Sequence, residues 1–300
     1  MMWVGIGLVV VWLGLQFKTS RADGTVVKVH PYRQMMPYIM QGRNESLVYY
    51  DDAIDAEAME AFLAKHKDEH QCHVTHAVVA AVSIGLAEQG RMNQFVSGRR
   101  LYKRKQRQLT FSMKRKKLDN TAKLSVVKLD MENGETFSGL ITRINGQIKE
   151  ERSGKKTYMD KELDLFTLVP RPLMNACVKL FKWLDYVNLL PYNAFIKGDG
   201  MYTSCFIANL GSLGMAPAYH HLYEWGNCPL FLMVGKTEER AVVRDGEIVV
   251  RRILPLRWSY DERIDDGLST SYGMAAVKRV LEDPETWLTL DAPLNHTPAS

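Results

Sequence analysis

The sequence predicts an α/β domain preceded by an apolar amino-terminal helix. Three observations point there. The chain has 300 residues, 46% hydrophobic and 24% charged, which suits one large domain with a substantial core. Helix-like and strand-like runs alternate through residues 29–290. Residues 1–17 carry no charged side chain.

The opening segment is read as an uncleaved transmembrane anchor over residues 1–17, followed by a linker over 18–28. It is slightly short of the usual span of about 20 residues. A signal peptide is the competing reading. Such peptides begin with basic residues and end at a small-residue cleavage site. Here the amino end is uncharged, and Ser20-Arg21-Ala22 is a weak candidate site. Lys18 and Arg21 follow the apolar run, so the positive-inside rule expects the main domain on the cytoplasmic side. Residues 291–300 read as a flexible tail.

The elements follow in order. Residues 31–46 carry a helix-like stripe that Pro37 makes awkward. Asp55 is a plausible cap, with Glu57 in the first turn of a helix to about residue 67. Residues 74–89 are apolar and Ala-rich, a buried helix. Residues 101–113 alternate in part and lead into the basic run 114–117. A strand is expected at 126–129 and a helix at 139–150. Residues 165–190 are rich in Leu, Phe and Trp with Arg171, Lys179 and Lys182 interspersed. That run fits a core or subunit-packing helix, or one lying at a membrane interface. Strands are expected at 202–207, 230–234, 241–244 and 248–255, with a tight turn at Asp245-Gly246. A last helix covers 270–281.

Composition excludes some functions. A formal net charge of +5 permits an anionic ligand or a membrane surface without demanding nucleic acid, and no nucleic-acid motif is present. Cys72, Cys177, Cys205 and Cys228 show no metal-type pairing and read as reduced thiols. His66, Glu69 and His70 fit the His-x-x-Glu-His metalloprotease spacing, with Cys72, His73 and His76 beyond, but the run ends a solvated helix. No bound metal is expected.

Several motifs occur together. Ser259 to Gly267 reads Ser-Tyr-Asp-Glu-Arg-Ile-Asp-Asp-Gly, and Asn209 to Gly214 reads Asn-Leu-Gly-Ser-Leu-Gly. These resemble the Asp-His-Arg-x-x-Asp-Gly and Ser-Asn-Leu-Gly-x-x-Gly signatures of the dihydrolipoyl and chloramphenicol acyltransferase family. Val234-Gly235-Lys236 with residues 242–250, and Leu281 to Glu285, are similar to the family's paired strands and closing helix. The resemblance runs from about residue 29 to 290, poorly between about 121 and 197. It implies a two-layer α/β sandwich with a mixed sheet, chloramphenicol acetyltransferase-like, assembled as a homotrimer or a trimer-based cage. No lipoyl domain or subunit-binding linker is read in the chain, so no swinging arm of its own is expected.

The resemblance also implies acyl transfer from a thioester in a tunnel between subunits. In the family a histidine is the base, a serine or threonine hydroxyl binds the oxyanion, and an aspartate organises the site. Here those positions fall on Glu262, Ala208 and Asp266. Alanine donates no hydrogen bond, and losing one oxyanion donor costs about 2.7–4 kcal/mol of barrier. A carboxylate titrates about four units below a thiol. It serves as base only where burial raises it. The bland alternative is an ion pair of Glu262 with Arg263 or another basic residue that keeps the turn folded. His220 and His221 lie between Tyr219 and Tyr223 and offer a second base, or they are packing residues at a subunit contact. Asn209, Arg104 and Lys105 are candidate contacts for a coenzyme A thioester, which is expected as substrate; no cofactor is expected to be covalently bound. The first expectation is a membrane-tethered acyltransferase acting on a lipid or other acceptor. The alternative is a catalytically silent structural or lipid-binding assembly on the same fold.

Overall fold

The computed structural model describes residues 2–114, 124–153 and 169–294. Helix α1 (Met2–Phe17) is followed by β1 (Gly24–Val26) and α2 (Pro31–Ile39). Then come β2 (Leu47–Asp55), α3 (Glu57–His70), α4 (Val74–Glu88), β3 (Gln94–Ser97), β4 (Arg100–Arg104), β5 (Arg107–Lys114) and β6 (Leu124–Met131). Next are α5 (Phe137–Arg152) and α6 (Arg171–Tyr186), then β7 (Cys205–Asn209), β8 (Leu230–Val234), β9 (Glu238–Arg244) and β10 (Glu247–Asp261), and finally α7 (Gly267–Glu282) and α8 (Pro284–Trp287).

The main sheet runs β2-β10-β8-β7-β5-β6, with β9 joined to β10. Strand β7 is parallel to both β5 and β8, while the other pairings are antiparallel. The sheet is therefore mixed, as expected. Alternation along each strand separates two faces. One face sends Leu109, Ile207, Leu232, Leu256 and Trp258 into the main core with α3, α4, α5 and α7. The other carries Phe206, Ala208, Phe231 and Met233, covered by Leu222 and Cys228.

Strand β10 is long because it serves two sets of neighbours. Its second half lies between β2 and β8, and its first half pairs with β9 alone. The β9–β10 hairpin turns at Asp245 (φ 52°) and Gly246 (φ 84°), the two positive values of a type I′ turn. Val243, Ile248 and Val250 lie exposed on this ribbon.

Several expectations change. Residues 18–28 are not a free linker. They contain β1, which pairs with β4, and Arg21, whose side chain is buried against Asp23 and Asp185. Burial disfavours the Arg21 charge, but Asp185 and Asp23 outweigh it and raise the pKa. Arg21 is therefore not available as a flanking surface charge. Residues 101–113 break into two strands in different sheets, because Arg104 turns inward at the end of β4. Pro293 bridges Thr136, and Leu294 is buried, so the described start of the tail is docked. Residues 295–300, most of the 114–117 run and the beginning of 165–190 lie outside the described residues.

The anchor expectation also changes. Helix α1 forms, but 16 residues rise about 24 Å against a hydrocarbon core of about 30 Å. Among the described residues no helix is long and apolar enough to cross a membrane.

Candidate active site

The turn after β7 is built by close backbone packing. Leu210 N–H donates to Val234 O at 2.9 Å and Met215 N–H to Leu210 O at 3.1 Å. Asn209 Oδ1 accepts from Ser212 N–H at 3.1 Å, and its Nδ2 donates to Thr75 Oγ1 on α4 at 2.9 Å. A Cβ on Gly211 would run into the Gly235 carbonyl. Gly214 has φ 75°, which glycine adopts at least cost. The Asn-Leu-Gly-x-x-Gly pattern is thus a packing requirement. Ala208 sits just before it, 8% exposed in the apolar cluster of the second face, with no donor on its side chain.

The turn after β10 is built by charge. Asp261 accepts from Ser46 Oγ at 2.8 Å and from Arg263 Nε and Nη2, both at 2.8 Å. Arg263 also donates to Met40 O at 3.1 Å and Gln41 O at 3.0 Å. Asp261 and Arg263 are both buried. Arg263 is therefore committed to Asp261, and the expected Glu262–Arg263 pair does not form. Glu262 is half-buried, its N–H held by Ser46 O at 2.8 Å. It makes no ion pair among the described residues.

Asp266 caps α7, its Oδ1 accepting from Ser269 N–H at 2.8 Å. That amide holds its carboxyl below the usual range, and the charges of Arg33 and Arg91 add to the effect. Arg33 Nη2 lies 3.5 Å from the carbonyls of both Glu262 and Arg263. Arg91 lies 3.7 Å from Asp265. Sequence reasoning missed both arginines. They arrive from α2 and from the loop after α4, and no local pattern announces them.

His220 stacks on Phe231 with ring centroids 4.1 Å apart and on His221 at 4.8 Å. Its carbonyl accepts from Ser259 Oγ at 2.6 Å. Burial lowers the His220 pKa, disfavouring its charged form. His221 is exposed. No hydrogen bond joins either histidine to Glu262 among the described residues, so one chain does not bring the two candidate bases together.

Sheet register separates the site into two parts. Ala208 pairs with Met233, and Met233 with Arg257. Glu262 lies five residues beyond Arg257. Two strand spacings and five residue rises put Ala208 and Glu262 about 19 Å apart. The Glu262–Asp266–Arg33 corner and the Ala208–Asn209 turn with its histidines are distinct half-sites within a chain.

The other expected contacts sort simply. Arg104 is 3% exposed. It donates to Asn227 Oδ1 at 2.7 Å and Thr203 O at 3.0 Å, and lies 4.4 Å from the Phe95 ring centroid. Burial lowers its pKa to about 10 against the pull of Asp23. It is a core ion and not a surface contact for phosphate. Lys105 stays exposed, donating to Arg21 O at 3.3 Å. His66 packs on Phe62 with centroids 4.8 Å apart, and among the described residues no cluster of three ligands could hold a metal.

The fold and the two turns are similar to those of known acyltransferases. Residues 198–289 match the family profile described as 2-oxoacid dehydrogenases acyltransferase (catalytic domain), so the resemblance read from the motifs holds. The acetyltransferase component of the Bacillus subtilis pyruvate dehydrogenase complex is 38% identical over 85 residues, 27% of this chain and 18% of that protein. The chain therefore spans under a fifth of that relative. Among solved structures, the "probable dihydrolipoamide acetyltransferase" of Listeria monocytogenes superposes with a TM-score of 0.58 at 16% identity, covering 85% of this chain and 93% of that one. The cubic core of a pyruvate dehydrogenase complex gives 0.56 at 18% identity, over 87% and 93%. A chloramphenicol acetyltransferase gives 0.53 at 10%, over 86% and 99%. The fold is that of the chloramphenicol acetyltransferase type.

Proposed function

We propose that this protein is an acyltransferase whose active site is completed between copies of the chain. The observation that carries this is the separation of about 19 Å between Ala208 and Glu262 that the register imposes. Only a neighbouring copy brings a second half-site against the first. The face that would receive it is rich in exposed side chains: Met215, Tyr219 and Tyr223 flank the histidines, and Tyr49 and Tyr50 lie on the edge strand β2. A trimer, alone or within a cage, supplies such contacts.

In this reading the acyl donor is a coenzyme A-type thioester. The acceptor thiol or hydroxyl loses its proton to His220 or His221 of one copy, with Glu262 of the next orienting the imidazole and offsetting its charge. Asp266 and Arg33 hold the Glu262 turn. The tetrahedral oxyanion lacks a side-chain donor at Ala208, so turnover is slow relative to a hydroxyl-bearing site. Lys105 is an exposed cation beside Arg104 and remains the candidate contact for the donor. In this reading the protein works at a membrane, with its acceptor there and the domain on the cytoplasmic side; the exposed Trp3, Val9, Trp12 and Phe17 of α1 support that reading.

The test is complementation. Glu262→Gln and His220→Ala/His221→Ala are assayed separately with acyl-CoA donors and thiol acceptors, then after co-assembly. Each alone should lose about 100-fold, and mixed assemblies should regain a measurable fraction. A wild type that binds acyl-CoA but never turns it over favours the silent scaffold, which the missing hydroxyl at Ala208 already supports. Loss without complementation removes the shared site.

A further inference from the structure

A crevice of about 320 Å³ opens between the end of α2, the β3–β4 turn, α6 and the loop before β8. Close backbone packing fixes its walls. Gly98 (φ 54°) and Arg99 (φ 57°) make the β3–β4 turn, with the two positive values of a type I′ turn. A Cβ on Gly98 would run into the Tyr186 carbonyl at the end of α6. Arg99 is thereby held at the crevice, its guanidinium 5.2 Å from the centre of the Tyr38 ring.

The charges on the lining do not balance. Arg43, Arg99, Lys182 and Arg263 line the crevice with two carboxylates, Asp185 and Glu224. Arg263 is taken by Asp261 at 2.8 Å, and Asp185 by Arg21 at 2.9 Å. Glu224 is exposed and accepts from Asn44 N–H at 3.1 Å and Nδ2 at 3.2 Å. Three cations and one carboxylate remain, an excess of two positive charges. Arg43 is 8% exposed and donates only to carbonyls, Tyr223 O at 2.9 Å and Gly226 O. It has no carboxylate partner among the described residues. A buried guanidinium is ordinarily paired with an anion.

A second observation is independent of charge. Tyr202 lines the same crevice and is 2% exposed. Its hydroxyl makes no hydrogen bond among the described residues, and neither does the Lys182 ammonium. A buried hydroxyl without an acceptor is costly. The crevice therefore presents more donors than acceptors, and Trp225 and Tyr186 stand beside them.

We infer that this crevice binds a small phosphate monoester. Its phosphate rests on Arg43, Arg99, Lys182 and the Tyr202 hydroxyl, and its organic group lies against Trp225 and Tyr186. A phosphate monoester carries about −1.5 to −2 charge at pH 7, which matches the excess. A single carboxylate would leave one cation over. The site uses neither Ala208 nor the histidines, so it stands apart from the acyl-transfer reading.

The test is isothermal titration of the full-length protein at low salt with inorganic phosphate and with phenyl phosphate. Phenyl phosphate should bind about tenfold more tightly, because its ring meets Trp225 and Tyr186. Lys182→Gln and Tyr202→Phe should each weaken both probes by about tenfold. Trp225→Leu should remove the preference for phenyl phosphate and leave inorganic phosphate unchanged. Arg43→Met should abolish binding. Melting curves without ligand check that each variant folds, and Lys182→Gln and Tyr202→Phe keep the test decisive if Arg43→Met does not.

Wild type that binds neither probe overturns the inference. So does binding that survives unchanged in Lys182→Gln and Tyr202→Phe, since the phosphate then sits elsewhere. Equal affinity for the two probes would mean an inorganic anion site and would sink the ester. None of these readouts needs acyl transfer.

Discussion

The two turns that carry the family resemblance are held by different forces. The Asn209–Gly214 turn depends on shape, on a glycine that lets two backbones touch and on an amide that reaches α4. The Asp261–Asp266 turn depends on charge, on one buried carboxylate–guanidinium pair and one helix cap. Each holds the residues that fold it, while the position at which the resemblance expects a reacting group carries Ala208 in one and Glu262 in the other. The scaffold and the chemistry of such a site are therefore separable. A motif can persist because it folds, whatever becomes of its reaction.

Breaking the charged turn should give the largest effect. Arg263→Ala leaves Asp261 buried without its partner and should cost about 3–5 kcal/mol of stability, read by urea unfolding. An effect under 1 kcal/mol would mean that the turn does not depend on that pair. Restoring a hydroxyl to the other turn is the complementary move. Ala208→Ser should raise acyl transfer by about 100-fold with little change in melting temperature. No gain would place the oxyanion elsewhere.

Acid should distinguish the turns as well. His76 accepts from His73 N–H at 2.9 Å and lies 3.2 Å from Asn145 Oδ1, at the start of the helix whose Thr75 holds Asn209. Burial lowers its pKa to about 4, with His73 contributing. The folded value lies below the unfolded one, so this stability is complete above about pH 6.5 and is lost as pH falls towards 4, about 3 kcal/mol in all. A stability profile over that interval should flatten in His76→Gln. Asp266→Ala should give the smallest effect, about 1 kcal/mol for the lost cap. Its activity loss should exceed that stability loss if Asp266 also organises Glu262.

Local patterns revealed much of the fold. The Ala-rich run became α4, Asp245-Gly246 became a hairpin turn, the apolar run 230–234 became β8, and the strand expected at 248–255 formed but continues to Asp261. What failed depended on distant partners. Arg104 reads as one more cation in a basic stretch, and only the arrival of Asp23 and Asn227 explains its burial. Arg33 comes to Glu262 from α2, more than two hundred residues away. The separation of Ala208 from Glu262 follows from strand order, which spacing along the chain does not encode. The reactive positions could be named from the motifs, but their mutual distance could not.

The β9–β10 hairpin bears on how the protein must be handled. Val243 and Ile248 face each other across the ribbon, and charged neighbours such as Arg240, Arg244 and Arg251 edge it. Such a blade offers an apolar strip that a matching groove on another copy could cover. In the shared-site reading dilution strips it of company, and specific activity should then fall with protein concentration.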